Sequence, residues 1–323
     1  MKLAVLGAGA IGVQHLEAAS HIDGLDPVAV VEINESLALE TSTKYGIRAY
    51  RDYLEMLQQE KPDITIIALP HYLHKEVSIR CAEHGSHMLL EKPMALNTAE
   101  CDEIIAAAER YKVKLMVGHT QHYFPENIEA RRIIESGELG KLVMINDTRH
   151  VNYYRADRPG WFFEKSKAGG GIMTNLGAHS IDKIQWMTQS RITKVKASVS
   201  FLGDRGDVEG SGAIFLETST GVPALMMQSG YPGVSRNETE FIFTGGMLKL
   251  ETGKGLSISR NGIYEPVRLK PTEKPLVKQL LDLMDAITND TLLDCSGAYS
   301  RTVVSVIESV YASSETGCEQ VVK

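Results

Sequence analysis

The feature that most constrains this chain is Gly7-Ala8-Gly9-Ala10-Ile11-Gly12, set between the apolar run Leu3–Leu6 and a helical stretch over Ile11–Ser20. A G-x-G-x-x-G that ends a strand and opens a helix is more than an ordinary glycine turn. The first glycine makes the tight bend, the second lets a pyrophosphate approach the backbone, and the third lets helix and strand pack closely. The helix then offers its first N–H groups to the phosphates. Gly7, Gly9, Ala10, Ile11 and Gly12 are therefore candidate cofactor contacts. Glu32 ends the next apolar run, Pro27–Val31, twenty residues past Gly12. A carboxylate there bonds the adenosine ribose hydroxyls and repels the extra phosphate of NADP. NAD is the expected cofactor, with NADP left open as the alternative.

The periodicity that follows extends this start into a fold. Helical stretches over Glu35–Tyr45, closed by Gly46, over Lys75–His84, and from Asn97-Thr98-Ala99-Glu100 to Arg110 alternate with the apolar runs Asp63–Ala68, His87–Leu90 and Lys114–Val117. Strands that alternate with helices pair in parallel, because each crossover needs a helix. Residues 1–120 are thus expected to form a doubly wound α/β sheet of the Rossmann type. After Pro125 the pattern changes. A helix over Glu126–Ser136, a strand over Val143–Ile145, a glycine triplet and a helix over Met173–Met187 lead into Val195–Phe201, Gly212–Glu217, Ala224–Ser229, Thr239–Thr244 and Met247–Glu251. Glycine turns between such runs read as hairpins of an antiparallel sheet. Helices over Leu276–Thr288 and Ser300–Ser313 close the chain, and 121–323 is expected to be the second domain.

Composition excludes several function classes. A formal net charge of −7 provides no basic field for nucleic acid or an anionic membrane surface. The sequence has no apolar run of ~18 residues to span a bilayer and no signal-peptide pattern before the first strand, so a cytoplasmic protein is expected. Cys81, Cys101, Cys295 and Cys318 are scattered without metal-ligand spacing, and His119 with His122 is too sparse a pair to claim one. No metal is expected.

Two further groups of residues carry chemistry. Glu91-Lys92-Pro93 follows the run His87–Leu90, which places Lys92 at a strand's C-terminal end, where open α/β sheets hold ligands. A lysine there can hydrogen-bond a substrate oxygen and stabilise its negative charge. In Gly169–Asp182, a helix puts Asn175 and His179 on one face, with Asp182 about a turn beyond. Histidine is the natural proton acceptor near neutrality. The loop from Asn152 to Trp161 mixes aromatics and arginines suited to sugar rings and hydroxyls, which nominates Tyr153, Arg155 and Trp161 as substrate contacts.

Taken together, Gly7–Gly12, Leu69-Pro70 with His74, Glu91-Lys92-Pro93, Val117-Gly118 to Pro125, Glu135–Gly140 and Gly169–Asp182 resemble the Gfo/Idh/MocA oxidoreductases, named for glucose–fructose oxidoreductase and inositol dehydrogenase. The resemblance implies a Rossmann domain followed by an α/β domain on a large, open, mainly antiparallel sheet, through which homodimers or homotetramers form. It implies hydride transfer between nicotinamide and a secondary alcohol or ketone of a sugar, sugar derivative or cyclitol. Leu69, Pro70, His74, Glu91 and Lys92 would line the cofactor. Lys92 would also polarise the reacting oxygen, with His179 as the acid–base group.

The chain departs from the family pattern at three positions. Asn175 stands where many members have aspartate, His122 where arginine is frequent, and His71 where asparagine often follows the proline. An amide can orient a substrate but cannot take its proton, which leaves His179 as proton acceptor and Lys92 as the alternative. Two rival readings share the fold. One is a lyase or glycosidase that uses NAD for transient oxidation, and the other is a non-catalytic dinucleotide sensor.

Overall fold

The computed structural model describes residues 1–323, and the chain divides into two compact units. The first comprises Met1–Thr120 and Glu273–Arg301, the second Gln121–Thr272 and Thr302–Lys323. The division thus differs from a single cut at residue 120, because 273–301 returns to the first unit.

The first unit is built on a six-stranded sheet. Its elements run β1 (Lys2–Leu6), α1 (Ala10–Ala19), β2 (Asp26–Val31), α2 (Glu35–Tyr45), β3 (Arg48–Tyr50), α3 (Tyr53–Glu60), β4 (Ile64–Ile67), α4 (His74–Glu83), β5 (His87–Leu90), α5 (Thr98–Arg110) and β6 (Leu115–Val117). The order is β3-β2-β1-β4-β5-β6 with every neighbour parallel. Such strands need apolar residues on both faces, and Leu3–Leu6, Ile64–Ile67, Met88–Leu90 and Leu115–Val117 are all buried. Each fully buried aliphatic side chain contributes about 1.5–3 kcal/mol.

Local capping sets the helix starts. Asn34, Asp52 and Asn97 accept the N–H of Leu37, Glu55 and Glu100. Glu100 in turn accepts the N–H of Leu96, the residue before the cap, at 3.1 Å. Gly46, in the left-handed region at φ 67°, ends α2. The pair β3–α3 was not expected from the sequence. Three residues of strand give no period, and the polar surface of α3 hides the burial of Met56 and Leu57.

The second unit begins with α6 (Pro125–Ser136), β7 (Leu142–His150), α7 (Lys165–Ala168) and α8 (Ala178–Thr188). Seven strands follow: β8 (Ile192–Ser200), β9 (Ser211–Thr218), β10 (Pro223–Ser229), β11 (Arg236–Phe243), β12 (Gly246–Glu251), β13 (Gly255–Ser259) and β14 (Glu265–Pro266). Helix α9 (Pro275–Asn289) lies in the first unit, and α10 (Gly297–Thr316) leads to β15 (Gln320–Val321). The sheet order is β14-β13-β12-β11-β7-β10-β9-β8-β15. The sheet is mainly antiparallel, as expected, with one parallel pair where β7 inserts between β10 and β11 and runs alongside β10. Hairpin signals between consecutive strands carry no record of an earlier strand inserting between them.

No helix is long and apolar enough to cross a membrane.

Candidate active site

In the first unit the three glycines of the opening turn have three separate physical reasons. Gly7 sits at φ 94°, and a Cβ there would stand 2.5 Å from the Ala68 carbonyl oxygen. At Gly12 a Cβ would meet the Gly7 carbonyl oxygen at 1.9 Å, so α1 packs too closely for any side chain. Gly9 differs, with nothing within 4 Å of a Cβ. It precedes α1 without a side-chain cap, so the first N–H groups of the helix, at Ala10 and Ile11, remain available beside open space. A pyrophosphate fits that description.

Glu32 stands at the tip of β2. Its Oε2 accepts the N–H of Ala8 at 2.9 Å and its Oε1 that of Asn34 at 2.9 Å. The carboxylate is thereby fixed against the glycine turn, at the strand end where a ribose would lie. Strand order reverses between β1 and β4, the switch point at which such sheets bind ligands. Leu69 and Pro70 follow β4 at that point.

His74 and Glu91 are buried and brace the turns at the strand ends. The His74 ring nitrogens lie 2.9 Å from the carbonyl oxygens of Leu69 and Pro93, and the neutral ring donates to one of the two. Burial pushes its pKa below 6.5 against the opposing pull of those carbonyls. Glu91 Oε1 pairs with His15 Nε2 at 2.9 Å, and Oε2 accepts the N–H of Lys92 at 3.2 Å. Burial raises the Glu91 carboxyl, but the His15 bond and the Lys92 charge outweigh it and the pKa falls. These bonds hold half-buried Lys92 at the end of β5.

In the second unit the glycine triplet does not open a plain α-helix. Met173–Gly177 forms a π turn, with the N–H of Ala178 reaching the Met173 carbonyl, and α8 begins only at Ala178. Asn175 lies in the π turn and His179 in the first turn of α8. Such turns occur often at functional sites. Glu209, thirty residues beyond His179, anchors the turn by accepting the N–H groups of Gly171 and Met173 and the Tyr311 hydroxyl. Burial raises the Glu209 carboxyl pKa while the two N–H groups oppose the rise. No local pattern in the sequence marks this residue.

Asp182 follows His179 on α8. It is fully buried and pairs with His122 at 2.7 Å, and the His122 ring stacks on Trp186 at 4.3 Å. His119 turns elsewhere, to Ser300 at 2.7 Å within the first unit. Tyr153, expected on the substrate side, is fully buried against Tyr154 and Phe163, with Arg158 over its ring at 4.1 Å. Burial pushes its pKa up, opposed by Arg158 and the Asn175 amide. Arg155 is exposed and paired with Asp157, while Trp161 stacks on Phe162.

Comparison with known proteins bears on both units. Residues 1–119 match the family described as "Oxidoreductase family, NAD-binding Rossmann fold", and residues 128–249 match the "GFO/IDH/MocA C-terminal domain". The chain is 26% identical to myo-inositol 2-dehydrogenase of Thermotoga maritima over 249 residues, 75% of this chain and 70% of that one. It is 27% identical to 2,7-anhydro-N-acetylneuraminate hydratase of Mediterraneibacter gnavus over 209 residues, 64% of this chain and 54% of that protein. The match thus spans little more than half the length of the hydratase. A crystal structure of aldose-aldose oxidoreductase from Caulobacter crescentus shares the fold at a TM-score of 0.92 and 23% identity, covering 99% of both chains. With the glycine turn and Glu32 arranged as a dinucleotide site, and family matches over most of the sequence, this chain belongs to the Gfo/Idh/MocA family of NAD-binding oxidoreductases.

Proposed function

We propose that this protein transfers a hydride between nicotinamide and a secondary alcohol or ketone of a sugar, sugar derivative or cyclitol. The observation that carries the reading lies within the first unit. All its strands are parallel, so the glycine turn after β1 and Lys92 after β5 emerge on one edge of the sheet. Two strand spacings, about 10 Å, separate β1 from β5. A lysine at that strand end supports the reading of a cation that acts beside a dinucleotide at the switch point.

Bound NAD supplies the hydride acceptor at nicotinamide C4. Lys92 Nζ donates a hydrogen bond to the reacting oxygen and stabilises it as an alkoxide. For the second unit, taken by itself, we carry over from the resemblance the role of proton acceptor for His179 and that of substrate contact for Asn175, whose amide takes no proton. Tyr153 is buried against Tyr154 and Phe163, which leaves Arg155 and Trp161 as the proposed substrate contacts of this loop.

A second reading, transient oxidation followed by elimination or hydration, is favoured by the hydratase among the relatives. Turnover without net NADH distinguishes it. We also assign a second copy of this chain to the outer face of the second sheet. Met144, Phe215, Leu225 and Met227 are 40–53% exposed there, alternating with buried Ile145, Ile214 and Met226.

The test is NADH formation across a panel of polyols, sugars and cyclitols, repeated with Lys92→Ala. Loss of about 10²–10³ in kcat/KM with unchanged NAD affinity is expected. Full NAD binding with no turnover of any compound by the parent protein points instead to a dinucleotide sensor.

A further inference from the structure

One row of polar side chains on the second sheet has more hydrogen-bonding capacity than the fold uses. Gln228 of β10, Arg149 of β7 and Asn237 of β11 lie opposite one another in register. Thr252 extends the row, donating its N–H to the Asn237 carbonyl at 3.1 Å. Residues directly opposite on neighbouring strands share a face. Gln228 Nε2 donates to Ser180 Oγ at 2.9 Å, so this face is the one under α8, next along the chain from His179.

Three atoms of this row are buried without a hydrogen-bond partner: Arg149 Nε, Gln228 Oε1 and Thr252 Oγ1. The row behind it is arranged differently. Asp147 and Thr239 face each other there, and Asp147 Oδ1 is held by Lys183 Nζ at 2.8 Å and by the Thr239 hydroxyl at 2.6 Å. Asp147 is the acidic group whose field reaches Arg149, yet burial outweighs it and lowers the arginine's pKa. Arg149 is half-buried with its Nε orphaned, beside a carboxylate whose Oδ1 is held by Lys183 and whose Oδ2 has no hydrogen-bond partner.

A guanidinium offers a planar fork of donors that matches a carboxylate with two parallel bonds. Gln228 Oε1 is an acceptor that suits a hydroxyl donor, and Thr252 Oγ1 can serve as donor or acceptor. We propose that Arg149 determines substrate specificity by binding a carboxylate, so that the substrate is a polyhydroxylated carboxylic acid of the sugar-acid class, with one of its hydroxyls donated to Gln228. The inference rests on the dehydrogenase reading only in taking this face as the substrate side.

The test is calorimetric titration of the NAD-loaded protein with D-glucuronate, D-galacturonate and D-mannuronate, each against its parent hexose. The members of each pair differ in a carboxylate against a hydroxymethyl group. At least one uronate is expected to bind tenfold or more tightly than its hexose. That ratio falls to about one in Arg149→Met and is partly kept in Arg149→Lys, while Arg149→Met melts at or above the parent temperature. A ratio below threefold in every pair overturns the proposal, as does a ratio that survives Arg149→Met. A lowered melting temperature in Arg149→Met also overturns it, by showing Arg149 to be a structural counter-ion for Asp147. NADH is followed in parallel. Reduction of NAD by a neutral hexose without acid preference sinks this inference alone, whereas acid preference without NADH sinks the dehydrogenase reading alone.

Discussion

Both carboxylate oxygens of Glu209 accept the N–H of Gly171, at 2.8 and 2.9 Å, and one of them also takes the N–H of Met173. The π turn that carries Asn175 is thus held from its N-terminal side by a residue distant in sequence. Replacing Glu209 with alanine leaves two buried N–H groups without acceptors. A loss of about 2–3 kcal/mol in urea unfolding is expected, since hydrogen bonds to charged groups are worth that much. Under the proposed function, Glu209→Gln loses more kcat than KM at a retained fold, because it loosens the turn. Equal activity per folded molecule would limit Glu209 to stability.

The three glycines of the opening turn separate by experiment. Gly7→Ala and Gly12→Ala drive a methyl into backbone oxygens at 2.5 and 1.9 Å, and both lower the melting temperature. Gly9→Ala meets no protein atom within 4 Å and leaves melting unchanged. It is expected to weaken NAD at least tenfold in calorimetry, by occupying the space beside the helix start. A Gly9→Ala protein with parent-like NAD affinity would show that the pyrophosphate lies elsewhere.

Glu32 discriminates between the two nicotinamide cofactors. Its carboxylate is held by the Ala8 and Asn34 N–H groups at the end of β2. Glu32→Gln keeps the shape and removes the charge. The ratio of NADP to NAD affinity is expected to rise about tenfold, a shift worth about 1.4 kcal/mol. An unchanged ratio would place the adenosine away from β2.

His74 gives the first unit a pH dependence. Its folded pKa lies below 6.5 because burial disfavours the charged ring. The unfolded chain therefore binds the proton first on acidification. The stability His74 contributes is complete above about 6.5 and is lost as pH falls from there to the folded value, at about 1.4 kcal/mol for each unit between the two. Melting temperature measured from pH 8 to 5 should fall through this window in the parent and less steeply in His74→Gln. Parallel slopes would assign the pH dependence to other groups.

Residues 7–12 and 32 were legible in the sequence because a glycine turn and a strand-end acid express requirements of the local backbone. The helix caps at Asn97 and Gly46 were legible for the same reason. Apolar runs with both faces buried disclosed the parallel sheet, since no helix-free connection returns a strand in the same direction.

Tertiary structure alone decided the rest. The insertion of β7 between β10 and β11, the return of 273–301 to the first unit, the anchoring of Gly171 by Glu209, the pairing of Asp182 with His122 and the position of Arg149 opposite Gln228 all join residues far apart in the chain. Local sequence specifies φ, ψ and which faces are apolar. Which distant donor meets which acceptor depends on strand register and packing, and those are fixed only when the whole sheet forms.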